Sequence, residues 1–297
     1  MMRWIGMILL GVGLAFADCL AESECMPDSV ITSFPDKISV QFLARYNYAA
    51  FSGASTDNEN LATNRPIDLG LGGGYGDFTW STLFTFSFGA DASKPRTQAT
   101  NLQFNYFGDR IFGDLYLKVN DGFYYHNDSL DEYVSYKLRI IEIGLDVNYL
   151  WNPEHSLRAV YSLDRRQWKH NGSFIWGLGV YYNGIVSQDS VLVFYKDYQA
   201  FLHAGPSVGY SHNWAWKNGF FINLMIVGSV SFGMNMTRKE WMQFYQVFPK
   251  FAVGYHSDTW SVNFPFYVSV LQLYENDGEI NDTFFEGSGG FMVTKRF

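Results

Sequence analysis

Ser173 and His170 stand three residues apart at the end of the densest polar run in the chain, Arg165, Arg166, Gln167, Trp168, Lys169, His170, Asn171, Gly172 and Ser173. A serine hydroxyl beside an imidazole is the pairing that acyl hydrolases and acyltransferases use, because the ring can take the hydroxyl proton as the oxygen attacks a carbonyl carbon. Glu142 or Asp164 would orient such a ring, and His203, His212 and His256 are further candidate bases. Side chains alternate along a strand, so positions three apart face opposite ways and only a turn would join Ser173 to His170. A lipid-modifying enzyme with these two as catalytic residues is an alternative that depends on that turn.

A second set of polar residues falls on the inner phase of alternating stretches: Gln41, Arg45, Asp114, Lys118, Glu142, Asp146, Arg158, Asp164 and Arg166. Opposite signs interleave among them. Lining a narrow interior, they would form either a filling network of ion pairs and hydrogen bonds or the wall of a polar conduit or small-ligand pocket. One alternation pattern serves both.

No metal and no cofactor is expected. Cys19 and Cys25 have only Glu22, Glu24 and Asp28 as local partners, and in an oxidising export compartment they would close one small disulfide loop. Gly72, Gly73 and Gly74 do not open a helix after a strand, so they are no phosphate cradle. The Asp/Asn-rich loops near 121–131 and 275–282 lack the ordered ligand spacing of a calcium site.

The elements that must position these groups are strands. In residues 77–89, Phe78, Trp80, Phe84, Phe86 and Phe88 alternate with smaller or polar side chains, and the same period of two recurs in 138–151 and 260–270. Weaker stretches run over 38–48, 67–75, 97–107, 111–120, 157–166, 174–182, 201–210, 220–232, 246–255 and 287–297. That makes thirteen, whereas a bacterial single-chain barrel needs an even number. Either one stretch is not a barrel strand, giving twelve, or Val191 to Tyr198 adds another, giving fourteen. Gly76-Asp77, Gly108-Asp109, Asn152-Pro153 and Ser257-Asp258 read as tight turns, and 49–65, 121–134, 234–243 and 272–283 as long loops.

Composition narrows the environment. Aromatic residues make up 19% of the chain and charged residues only 17%, with a formal net charge of −8, which excludes nucleic acid as a partner. Arg3, the apolar run Trp4 to Phe16 and the small residues Ala15 and Ala17 form a secretory signal over 1–17, cleaved before Asp18. Acylation at Cys19 would need small residues before it, where Asp18 stands. No mature stretch has the roughly 18 uninterrupted apolar residues of a transmembrane helix. Aromatic outer faces set against Gly and small polar inner faces favour an antiparallel transmembrane β-barrel over a secreted soluble β-sandwich that binds a ligand.

Gln167, Lys169, Gly172 and Ser173 form a pattern, Gln-x-Lys followed by Gly-Ser, that resembles a family of Gram-negative outer-membrane barrels known only as domain of unknown function 4421. Ser33-Phe34-Pro35-Asp36-Lys37, Gly70-Leu71-Gly72 and Gly122-Phe123-Tyr124 extend the likeness over nearly all of the mature chain. The resemblance implies an outer-membrane location and a barrel fold, and brings no established activity. The expectation is therefore a periplasmic tail over 18–36 and a barrel over 37–297, structural or channel-like for small solutes, in contact with outer-membrane lipids. Periplasmic chaperones and the barrel-assembly machinery would insert it, with the terminal Phe297 as the assembly signal.

Overall fold

The computed structural model describes residues 29–297 except 54–55, 57–58, 66, 87–88, 163, 188–196 and 276–280. The signal sequence, the first part of the tail, Cys19 and Cys25 lie outside the described residues.

Three short strands, β1 (Ile31–Ser33), β3 (Leu61–Ala62) and β9 (Arg165–Gln167), accompany twelve longer ones. The twelve are β2 (Ile38–Gly53), β4 (Ile67–Tyr75), β5 (Phe78–Phe86), β6 (Gln98–Phe107), β7 (Ile111–Asn127), β8 (Glu132–Leu150), β10 (Asn171–Ser187), β11 (Asp197–Ala215), β12 (Phe220–Asn235), β13 (Glu240–His256), β14 (Trp260–Glu275) and β15 (Asn281–Arg296). Each pairs antiparallel with its neighbour in chain order, and β15 pairs back onto β2 from Asp282↔Gly53 to Arg296↔Ser39, so the sheet closes on itself. Closure leaves the ring without an edge strand.

Alternation assigns the faces. On β5, Phe78, Trp80 and Phe84 are exposed while Thr79, Ser81 and Leu83 are buried; on β8, Ile143, Leu145 and Val147 face out while Glu142 and Asn148 face in. Exposed apolar side chains continue round the ring through Leu178, Val180, Val208, Leu224, Ile226, Val247 and Phe266. Tyr75, Phe78, Tyr106, Trp151, Trp216 and Trp260 form an aromatic belt at the rim that carries the C-terminus, and Tyr198, Phe232, Trp241 and Tyr245 one toward the other rim. An apolar band between aromatic girdles is the surface a bilayer accepts, and its lipid-facing side chains contact hydrocarbon. Among the described residues no helix is long and apolar enough to cross a membrane.

Leu157 to Arg166 departs from the sequence expectation. It is not a barrel strand: Arg158–Ser162 form a π-helical turn and Arg165–Gln167 form β9, both inside the connection between β8 and β10. Leu157, Ala159 and Val160 are all nearly inaccessible, because the segment lies in the lumen and is buried on every side. A two-sided burial imitates the outward face of a wall strand in sequence. Removing this stretch makes the ring twelve. Asn152-Pro153 accordingly begins an insertion rather than a hairpin turn, and of Val191 to Tyr198 only the last two residues fall in a described element, the start of β11.

The other tight turns hold, with Gly76 at φ +58 between β4 and β5. Several expected long loops are instead extensions of the strands, leaving residues 128–131 between β7 and β8 and 236–239 between β12 and β13. β4, β5 and β6 are only 9, 9 and 10 residues long, whereas β2 and β7 have 16 and 17. Above the three short strands β3 bridges the gap, pairing Leu61 and Ala62 with β2 and Ala62 with Tyr124 of β7. The wall thus passes from twelve strands to a smaller ring through β3 at the loop rim. Gly122, at φ +87, sits at the register shift of β7, where a Cβ would lie 2.9 Å from the Arg96 carbonyl oxygen.

Candidate functional site

Three layers fill the lumen. Toward the loop rim, Phe51, Leu61, Phe123, Tyr136, Leu138, Phe201, Phe244, Leu271 and Phe284 form one apolar cluster contributed from around the ring. Toward the terminal rim, the connection 151–170 folds inward. Between them lies a polar chamber of about 190 Å³. That is room for on the order of a dozen waters.

Six residues expected to face the interior line this chamber: Gln41, Arg45, Asp114, Lys118, Glu142 and Asp146. Lys118 Nζ of β7 forms an ion pair with Glu286 of β15, across the lumen, and lies 5.2 Å from the ring centroid of Tyr116 and 5.9 Å from that of Tyr267. The Tyr181 hydroxyl donates to Asp146. Glu142 is the cross-strand neighbour of Lys118, yet its Oε1 is buried with no hydrogen-bond partner among the described residues. Arg45 and Lys250 make no salt bridge with a described residue; Lys250 Nζ lies 5.8 Å from the Tyr161 ring. At the upper edge Asp68 holds Arg65 Nη1 at 3.1 Å and Asn47 Nδ2 at 2.7 Å.

Sequence reasoning missed Glu286, Lys250 and the inward tyrosines 116, 161, 181 and 267. The aromatic residues were credited to the lipid face, but a tyrosine ring with a polar tip also fits a wet interior. Only strand phase separates the two, as when Tyr116 is placed two residues from Lys118.

Arg158, Asp164 and Arg166 do not line the chamber; they build the plug beneath it. Arg158 reaches Asp77, Asp164 and the Gly76 carbonyl, pinning the segment to the β4–β5 turn. Leu157 packs with Phe107, Phe112, Ile175 and Met225, and Val160 with Leu43, Leu83, Phe221, Ala252 and Met292. The Tyr161 hydroxyl donates to Asn223 Oδ1 at 3.0 Å, and Asn263 Nδ2 donates to the Val160 carbonyl at 2.8 Å. One π-helical turn therefore touches most of the wall.

The sequence pattern belongs to the same device. Gln167 Oε1 accepts from Ser156 N–H at 3.0 Å and from Asn213 Nδ2 at 2.9 Å, while Gln167 Nε2 donates to the Lys169 carbonyl at 2.8 Å. A Cβ at Gly172 would press on the Tyr210 hydroxyl and lie 2.7 Å from His212 Nδ1, so both side chains would have to swing aside. The Lys169 side chain is exposed. Ser173 Oγ accepts from Asn152 N–H at 3.0 Å and donates to the Phe174 carbonyl at 2.8 Å, which fixes where the plug leaves the wall. His170 Nδ1 accepts from Ala215 N–H at 3.1 Å, and its ring meets Trp216 edge-on. Among the described residues no hydrogen bond joins Ser173 to His170.

His155, fully buried in the plug, lies with Nδ1 3.2 Å from the Asn171 carbonyl, and burial pulls its imidazole down to about 4.

The N-terminal strand straps the plug from outside. β1 pairs with β9, Trp168 N–H donates to the Val30 carbonyl at 2.9 Å, and Trp168 Nε1 to Thr32 Oγ1 at 2.7 Å. The Phe34 ring lies 3.6 Å from the Arg296 guanidinium carbon and 5.7 Å from His256.

The family model described as "Domain of unknown function (DUF4421)" matches residues 27–291. No curated protein matches the chain. Solved structures similar in fold include the outer membrane protease OmpT of Escherichia coli (9% identity, 93% of this chain and 100% of that chain, TM-score 0.32). The Pseudomonas putida toluene transporter TodX (6%, 92% and 91%, 0.30) and a loop-deleted OmpT of Vibrio cholerae (8%, 88% and 100%, 0.35) are others. At these scores neither the protease nor the transporter lends its chemistry to this chain.

Proposed function

The chain belongs to the DUF4421 family and is an outer-membrane β-barrel, and on that premise we propose that it is a small-solute channel held shut by its own 151–170 segment on the terminal side and by the apolar cluster on the loop side. The observation that carries this is the contrast within one lumen. The loop-side half is filled by an apolar cluster, as an inert filler should be. The middle instead keeps Glu142 buried and Arg45 and Lys250 half-buried, none of the three in an ion pair with a described residue, around a chamber of about 190 Å³. Buried charges are costly and apolar replacements are commonly as stable or more so, so a scaffold with no traffic would have no use for them. The plug lies directly below the chamber and is tied down by separable polar contacts at Gln167, Arg158 and β1.

Residues 1–17 serve as the export leader and residues 18–36 as a periplasmic tail whose end is the strap. Insertion runs through periplasmic chaperones and the barrel-assembly machinery, with Phe297 as the element recognised. Its N–H bonds the Ile38 carbonyl at 2.9 Å, at the seam where β15 meets β2.

The test is conductance in planar bilayers of the intact barrel and of a variant in which residues 153–170 are replaced by a short hairpin turn and Phe201 and Phe244 of the apolar cluster by Ala. Both must show the gel shift on heating that marks a folded barrel. The intact protein is expected to be almost silent and the trimmed one to conduct. A trimmed, folded barrel that passes no current would refute the channel.

A further inference from the structure

The chamber sorts its charges by wall. Once Lys118 and Glu286 have neutralised one another across the lumen, the remaining acids, Asp114, Glu142 and Asp146, all stand on the adjacent strands β7 and β8. The remaining bases, Arg45 on β2 and Lys250 on β13, stand on the far side of the ring, four strands away from β7 and from β8 respectively in the order of pairing. The acidic wall is under stress. Asp114 and Asp146 are directly opposite in the β7–β8 register, an arrangement in which like charges repel. Tyr181 donates to Asp146 and Gln103 to Asp114, whereas Glu142 Oε1 is buried with no partner among the described residues. On the basic wall Arg45 has Asp68 opposite it in the β2–β4 register, but neither Arg45 nor Lys250 closes a salt bridge with a described residue.

The geometry points to a binding site for a small zwitterion, with its ammonium group toward Glu142 and Asp114 and its carboxylate toward Lys250 and Arg45. A cation alone would leave the guanidinium and ammonium of the protein uncompensated, and an anion alone would leave the carboxylates so. A molecule carrying both groups satisfies both walls at once. Tyr116, Tyr161 and Tyr267 supply hydroxyls and ring faces between them, and the volume limits the solute to about a dozen heavy atoms. This assignment rests on the channel reading in one respect: the solute reaches the chamber when the plug yields.

The experiment is equilibrium dialysis of the full refolded chain, run to completion, against γ-aminobutyrate, butyrate and butylamine as separate probes. Charge-assisted hydrogen bonds at both ends should make γ-aminobutyrate bind at least about tenfold more tightly than either singly charged probe. Glu142→Gln should bring it down to the level of butyrate, and Lys250→Met to that of butylamine, in variants that keep the heat-dependent gel shift. Butyrate or butylamine binding as well as the zwitterion overturns the assignment, and so does an absence of binding by all three. Failure of the channel is separable. Zwitterion binding with a trimmed barrel that carries no current retains the site and removes the channel; current without zwitterion binding does the reverse.

Discussion

Lys118 and Glu286 are contributed by strands on opposite sides of a twelve-stranded ring and meet in its centre. A pair of this kind ties the two halves of the wall together through the lumen rather than along the sheet. Removing one partner strands the other in a low-dielectric interior. Lys118→Met is expected to destabilise the folded barrel by about 3–5 kcal/mol, whereas Lys118→Met with Glu286→Gln should recover most of that loss. Denaturant titrations of folded barrel in lipid measure the two single variants and the double, and losses that simply add in the double variant would show that the pair contributes nothing.

Gln167 bonds to the plug backbone and to the wall at once. Gln167→Ala leaves Asn213 and the Ser156 N–H short of an acceptor, at a cost of about 1–3 kcal/mol. Because the loss falls on docking of the plug rather than on the ring, it should appear, in a barrel whose Phe201 and Phe244 are trimmed to Ala, as more frequent channel openings with an unchanged gel shift. A silent variant would count against Gln167 as the anchor.

Acid should loosen the plug. The released His155 ring has an ordinary pKa of 6.5, and docking buries it and lowers this to about 4. The released form therefore takes up the proton first as pH falls. Docking is at full strength above pH 6.5, weakens as pH falls through that value towards 4, and has lost the whole contribution below 4. In the barrel with Phe201 and Phe244 trimmed to Ala, conductance should rise across this window, and it should stay flat once His155→Leu is added. A flat profile with His155 in place would rule out this residue as the acid-sensitive element.

Ser173→Ala removes the acceptor for Asn152 N–H and should weaken the exit of the plug by about 1 kcal/mol. With Ser173 and His170 bonded elsewhere, acyl release from phospholipid or lipopolysaccharide by the purified barrel should be the same in wild type and variant. Turnover lost in Ser173→Ala would restore a lipid-modifying enzyme.

Deleting Phe297 takes away the last hydrogen bond of the β15–β2 seam and the terminal aromatic. Less heat-shifting protein in the outer-membrane fraction is expected. Undiminished assembly would mean that recognition resides elsewhere in the strand.

Wall strands were readable in sequence because each meets lipid on one side and the lumen on the other, as Trp80 beside Ser81 shows. The plug was not, because Leu157, Ala159 and Val160 meet protein on every side and their spacing carries no sign of which face is which. The inward polar residues of β7 and β8 were legible from alternation alone. Glu286 was not singled out, since its partner lies 168 positions away and no local pattern announces a contact through the lumen. The Gln167 to Ser173 motif was visible as a cluster, but its role depends on Asn213 and Asn152, which only the closed ring brings near.

The strap has a consequence for the order in which the molecule is completed. Phe34, near the first of the described residues, is held against Arg296, the penultimate residue, while β1 immediately after Val30 holds β9 of the plug. The stopper is locked only when β1 and the end of β15 have met at the same rim. A barrel still waiting for its last strand is an unlocked one, so closure of the lumen doubles as a check that the wall has been finished.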